Sequence, residues 1–296
     1  MLNRTVFSFI ALLFFTTQIS AQEDLAIVKE KPLYRAYYEY AHIKDTTTKN
    51  VKLEKMALLF GEKHALYFSY DKLLEHVAID DYVKQQLAQG EEHVKIKAAK
   101  IITPEEILTD YATNDILINT YLARHFYYPK TITAPHWTIS TEQKQILGLN
   151  CYKASLNYLG RTWQVWFTPE IAFPTGPWLL RGLPGLIVSA SDDKGEVQFT
   201  LQALEEAATN NPVFERMAEY KVIQLTNGFR ATKLASEKDL LKLKQTARKD
   251  IRSFQITQIH AMHELGGTLD YGVSNPYSWS AVISNPIDLT ADQNSR

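Results

Sequence analysis

Residues 176–190, GPWLLRGLPGLIVSA, decide how this chain is read. Leu183-Pro184-Gly185-Leu186 has the form of a type II turn, in which proline presets φ at the second position and glycine supplies positive φ at the third. Gly182, just before, permits a second bend or the close approach of another backbone. Leu186, Ile187 and Val188 then form a short apolar run that fits a buried strand. Upstream, Pro169, Pro174, Pro177 and Pro184 fall within sixteen residues, a density that neither a helix nor a central strand accommodates. Residues 168–185 are therefore expected to form a long, stiff, ordered loop, and loops of that length inside a compact domain are often functional. Two readings stand side by side. The loop is a binding surface built on Trp178, Leu180, Arg181 and Leu183, or it is a cap that plugs one end of a sheet with Trp178, Leu179 and Leu180.

Working outward, strand patterns flank the loop on both sides. Tyr152, Ala154, Leu156 and Tyr158 share one face, with Lys153, Ser155 and Asn157 on the other. Leu159-Gly160-Arg161 turns the chain, and Trp163, Val165 and Phe167 alternate with Thr162, Gln164 and Trp166. After the loop, Asp192-Asp193-Lys194-Gly195 closes another hairpin, and Val197, Phe199, Leu201 and Ala203 alternate again. Successive two-residue periods mean an antiparallel meander with one buried face.

Nearer the N-terminus, residues 33–43 alternate with Tyr34, Ala36, Tyr38 and Tyr40 on one face. Residues 52–60 and 64–70 read as a hairpin. Residues 71–89 carry helical spacings that stop at Gly90, residues 91–110 suggest a strand followed by a turn at Pro104, and residues 114–128 read as one strand. Residues 236–251 read as a helix: Ser236 and Asp239 resemble a capping box, and Leu240, Leu243, Ala247 and Ile251 line one face. Residues 253–259 suggest a further strand, and the tail from 266 is rich in Gly, Ser, Asn and Pro.

Gly182-Leu183-Pro184-Gly185-Leu186-Ile187 resembles the signature of the GLPGLI family, exported envelope proteins of Bacteroidetes-type bacteria. Trp137-Thr138-Ile139, Cys151-Tyr152-Lys153-Ala154, Trp166-Phe167-Thr168-Pro169-Glu170-Ile171 and the closing Asn285-Pro286-Ile287-Asp288-Leu289 resemble further parts of its pattern. The resemblance is strongest over residues 137–204. It implies a cell compartment and a fold but no catalytic residues, since the family carries no established activity.

Composition narrows the function classes. Residues 1–21 have the organisation of a secretory signal peptide: Arg4, an apolar run over residues 6–15, and Ile19-Ser20-Ala21 before Gln22. That apolar run is too short for a membrane span, and no later segment is apolar enough to cross a bilayer. Residues 22–296 are then one GLPGLI-type domain, placed in the periplasm or cell envelope, with secretion as an open alternative. A formal charge of −1 without basic clusters argues against nucleic acid as a partner. Cys151 is the single cysteine, so no intramolecular disulfide forms and stability rests on the core.

Catalytic chemistry is sparse. His260-x-x-His263-Glu264 invites a metal reading, but its order matches neither arrangement of the zinc-peptidase motifs. Cys151 falls on the polar side of the alternation, which leaves a nucleophile and an inert thiol both open. Asp80-Asp81 and Asp192-Asp193 fit turns or solvated faces. No nucleophile elbow, phosphate loop or dinucleotide fingerprint is present, and no cofactor is expected. The aromatic content is more suggestive. Tyr38, Trp166 and Trp178, among many others, fall on or beside the expected strands, and a curved sheet with an aromatic concave face can hold an apolar ligand.

The expectation is an α+β protein, mainly a curved antiparallel β-sheet resembling the half-barrel of lipoprotein-carrier folds, with one or two packed helices. Its expected role is non-catalytic: binding an apolar ligand, a peptide or an outer-membrane partner. The alternative is a metal-dependent hydrolase using His260, His263 and Glu264.

Overall fold

The computed structural model describes residues 30–91, 94, 103–121, 125–133, 135–216, 223, 233–249 and 286–290. Expectations for residues 1–29, for residues 253–259, for the tail to 285 and for the His260, His263 and Glu264 group lie outside them.

The chain opens with β1 (Tyr34–Ile43), β2 (Val51–Phe60) and β3 (His64–Ser69), then the helix α1 (Tyr70–Ala88). Next come β4 (Glu106–Asp110), β5 (Ile116–Tyr121) and β6 (His125–Pro129). The run expected as one strand over 114–128 is thus two antiparallel strands, paired from Leu117↔Pro129 to Tyr121↔His125. A strand, β4, follows Pro104 where a turn was expected, and most of the stretch expected as a strand before it lies outside the described residues. The second half is β7 (Thr138–Ile146), β8 (Leu149–Tyr158), β9 (Arg161–Thr168), β10 (Leu186–Asp192) and β11 (Val197–Glu206). Short α2 (Pro212–Arg216), two-residue β12 (Lys233–Leu234) and α3 (Glu237–Lys249) complete it.

All the strands among the described residues lie in one open sheet, ordered β12-β6-β5-β4-β3-β2-β1-β11-β10-β9-β8-β7. Every pairing is antiparallel except β12 on β6. The first half therefore meanders outward from β1. The second half starts at the far edge with β7 and meanders back until β11 closes against β1.

That topology forces curvature. β6 and β7 are ten strand spacings apart, about 48 Å across a flat sheet at about 4.8 Å per strand. The eight residues between them span at most about 32 Å when fully extended, at about 3.6 Å per step. The sheet must curl to bring its arms together. The 286–290 segment ties the same two arms. Asp288 pairs with Lys130, just past β6, at 3.2 Å. Across the gap, Arg161 of β9 donates to the carbonyls of Pro286 and Ile287 at 2.8 and 3.0 Å, and the Leu289 amide reaches Leu159 in the β8–β9 turn.

The concave face carries the main core. Ala36, Tyr38 and Tyr40 of β1 point into it with Met56, Leu58 and Phe60 of β2 and Trp163, Val165 and Phe167 of β9. Tyr40 stacks on Phe199 at 5.0 Å. Leu240 of α3 packs on the same face, and its helix starts on the expected cap, the Asp239 amide donating to Ser236 Oγ. The strands β2 to β6 are covered on their other face too, where Ala57, Leu59, Leu66 and Phe68 meet Leu73 of α1 and Phe214 of α2. This explains their continuous apolar runs, whereas β9 and β11 alternate because their outer face is solvated. At the β7 edge the pairing to β8 breaks register between Ile139 and Gln143, a bulge that blunts an otherwise free strand.

Candidate functional site

The loop between β9 and β10, residues 169–185, lies on the concave face and is cross-braced by its own backbone. The Gly182 amide donates to Pro174 O, and the amides of Leu186 and Ile187 donate to Ile171 O and Thr175 O. This corrects the expected type II turn. The Leu186 amide that would close such a turn on Leu183 is bound to Ile171. Instead the Gly185 amide donates to Leu183 O at 2.8 Å, a three-residue γ-turn centred on Pro184. Gly182 takes the left-handed backbone, at φ 87°. Gly185 is needed for space, since a Cβ there would sit 2.1 Å from Thr168 O and 2.9 Å from Pro169 Cα.

Four of the six expected binding residues are buried. Leu180 and Leu183 are packed in the core with Leu179. Tyr38 is 1% exposed; its hydroxyl donates to Ile187 O, and burial pushes its pKa far up. Arg181 is 5% exposed. Trp178 and Trp166 are half-buried. Trp178 holds φ 55°, with its ring 5.8 Å from that of Trp163. Trp166 stands apart on the outer face, under Lys144 Nζ at 4.2 Å. The structure thus brings Tyr38, Trp178, Leu180, Arg181 and Leu183 to one region of the concave face and leaves Trp166 out of it.

Arg181 is the charged centre of that region. Its Nε donates to Asn114 Oδ1 at 2.9 Å. Its Nη1 donates to Leu179 O at 3.1 Å and Tyr158 Oη at 3.3 Å. Burial raises the Tyr158 pKa, and the guanidinium opposes that rise. Nη2 is buried with no hydrogen-bond partner. Trp137 Nε1 donates to the Arg181 carbonyl at 2.8 Å, closing the loop from outside.

Asn114 belongs to the β4–β5 turn, which rims a cleft of about 440 Å³ lined by His64, Asp110, Asn114, Ile116, Lys130 and Ile132. His64 is held between Glu30 at 2.7 Å and Asp110 at 3.2 Å. Burial would raise the Asp110 pKa. The amides of Thr113 and Ala112, with His64, outweigh it and hold the carboxyl below its ordinary value.

Other sequence candidates resolve differently. Cys151, which the alternation places with Lys153 rather than with the apolar face, is fully buried. It lies inside β8, opposite Lys144 of β7, and packs into the main core cluster. Burial raises its thiol pKa, which suppresses the thiolate a nucleophile needs. Asp80 and Asp81 form exposed ion pairs with Arg216. Asp192 is not solvated at all: it is buried, 2.6 Å from Arg161. Among the described residues no cluster of three His, Cys, Asp or Glu side chains is placed to hold a metal ion. Nor is any helix there long and apolar enough to cross a membrane.

No family model and no curated protein matches the sequence. Among solved structures the chain is similar to PNGF-II in two crystal forms, at 11% and 12% identity with TM-scores of 0.46 and 0.44. Those matches cover 71% and 69% of this chain, which spans about a third of the PNGF-II length, 32% and 31%. A domain from Vibrio parahaemolyticus described as an outer membrane lipoprotein-sorting protein domain is similar at 8% identity and TM-score 0.25, over 64% of this chain and 91% of that one. Likenesses of this size say nothing about activity.

Proposed function

We propose that the chain is an exported, non-catalytic envelope protein of the GLPGLI type that binds an apolar ligand, a peptide or an outer-membrane partner at the 169–185 loop. One observation carries the reading. Trp178, a bulky residue, is held at φ 55° and half-buried over Trp163. Such a backbone is costly for a large side chain, and strain of this kind concentrates at ligand clamps. A cap alone gains nothing from an indole kept at its surface. The buried leucines beside it anchor the loop, so the indole is presented on a rigid support.

The test is mass spectrometry of the full-length protein purified from its envelope fraction. A bound mass is expected in the wild type and lost in Trp178→Ala at unchanged fold. An identical bound mass in both proteins would move the site away from this loop, and no bound mass in either would sink the reading.

A further inference from the structure

A guanidinium presents two edges to an anion, and the side-on edge consists of Nε and Nη2. In this protein the end-on nitrogen Nη1 is committed to Leu179 O and Tyr158. The side-on edge is half committed, because Asn114 brings one amide oxygen to Nε and nothing to Nη2. A carboxylate or phosphate carries two oxygens at the spacing that edge requires. Burying a guanidinium without a counter-charge is expensive, and Arg181, 5% exposed, makes only neutral contacts.

The surroundings point the same way. Tyr111, in the same β4–β5 turn as Asn114, buries its hydroxyl beside Thr175 without a hydrogen bond of ordinary geometry. Asn114 is only half-buried, on a turn at φ 61°, and borders the cleft. Arg181 reaches the cleft only through Asn114, and the acidic and lysine side chains that line it are Lys130, already held by Glu237 and Asp288, Asp110, held by His64 and two backbone amides, and Asp115, exposed at the rim. Apolar walls adjoin them at Ile116 and Ile132.

We infer that Arg181 recognises the anionic headgroup, carboxylate or phosphate, of an amphiphilic ligand, which displaces Asn114 from Nε and takes Nε and Nη2 together. The inference rests on the binding reading above and names the chemistry of the ligand.

Asn114→Asp tests it without touching the buried arginine. Aspartate tolerates the left-handed backbone and supplies the anion permanently. Calorimetric titration of the full-length protein uses sodium dodecanoate, dodecyl phosphate, dodecanol and inorganic phosphate, each below its aggregation concentration. Wild-type protein is expected to bind the preferred anionic chain about tenfold more tightly than dodecanol, the ratio that one charge-assisted hydrogen bond provides. Whether dodecanoate or dodecyl phosphate leads identifies the headgroup. In N114D that ratio falls to about one, and the unliganded melting temperature rises. Equal affinity for dodecanol and both anionic chains in the wild type overturns the headgroup assignment while leaving apolar binding intact. So does a preference kept undiminished in N114D. Inorganic phosphate binding as tightly as dodecyl phosphate overturns the amphiphile. If none of the chain compounds binds, dodecanol included, the apolar-ligand form of the binding reading falls, and the headgroup assignment with it.

Discussion

Replacing Gly185 with alanine adds one carbon where the structure has no room for it. The new Cβ would lie 2.1 Å from Thr168 O, 2.7 Å from Thr168 C and 2.9 Å from Pro169 Cα. All three are backbone atoms, so no rotamer change relieves the contact. Ordinary contact starts near 3.4 Å, so the end of β9 and the start of β10 must separate by about 1.3 Å. That movement strains the Leu186↔Thr168 pair and the Leu186 amide bond to Ile171. Overpacking of this kind costs about 1–3 kcal/mol, and a lost backbone bond adds about 1 kcal/mol. Gly182→Ala is the control. It too has positive φ, 87° against 155° for Gly185, but the nearest atom to its Cβ is Pro135 O at 3.8 Å, so its cost is the backbone alone, about 1–2 kcal/mol. Urea unfolding of the two variants beside the wild type compares them directly. The expected order is Gly185→Ala well below Gly182→Ala, with m unchanged. Equal midpoints would refute the steric account and return Gly185 to the role of a turn residue chosen for φ.

Arg161→Met leaves Asp192, a fully buried carboxylate, without its cation and frees the carbonyls of Pro286 and Ile287; a loss of about 3–5 kcal/mol is expected in urea unfolding, and faster proteolysis of the C-terminal segment should accompany it. Glu205 bears on acid stability. Burial would raise its pKa, but hydrogen bonds from Tyr37, Arg35 and Asn211, with the Arg35 charge, hold it below the ordinary 4.5. A depressed folded-state pKa gives stability that is complete above 4.5 and is lost as pH falls through the folded value. Glu205→Gln should therefore flatten the acid limb of a melting-temperature profile below pH 4.5, and an unchanged limb would contradict the pairing. Trp178→Ala should cost less than the roughly 3–5 kcal/mol of a fully buried aromatic, because part of its surface stays outside the core. Its thermal midpoint checks this, and a loss of that full size would make the indole part of the packing rather than a surface anchor.

Alternation revealed β1, β8, β9 and β11, whose two faces differ in burial, while β10 showed as a short apolar run. Spacing alone put Tyr38 and Tyr40 on one face, but did not say that this face is core rather than ligand surface. The hairpin of β2 and β3 was equally legible, as was α1 with its stop at Gly90, which takes φ 87°. The sequence hid what depends on distant partners. Nothing local says that β1 closes on β11, or that β7 begins at the opposite edge. The Pro184-Gly185 pair reads as a β-turn until Ile171 claims the Leu186 amide. Asp192 looks like half of an acidic turn until Arg161 arrives from the neighbouring strand. Burial of Arg181 and the bareness of its Nη2 have no sequence signature, because both come from the meeting of one loop with the turn at Asn114.

Cap and site need not be rival descriptions of the 169–185 loop. A sheet curled this tightly has a concave face that must be filled, and Leu179, Leu180 and Leu183 fill it. Filling is a task for leucine or methionine, which lose nothing on burial. An arginine in the same stretch loses hydration and, with one nitrogen bare, recovers only part of it. Methionine in its place would pack the same volume at no such cost, as in buried ion pairs that tolerate apolar replacement. The residue that a pure plug would exclude is therefore the one that the plug carries, at the point where it meets a half-exposed turn that borders a cleft. The leucines hold the guanidinium rigid and away from bulk water. Those are the conditions under which a single charge-assisted bond discriminates most strongly between a charged headgroup and a neutral one.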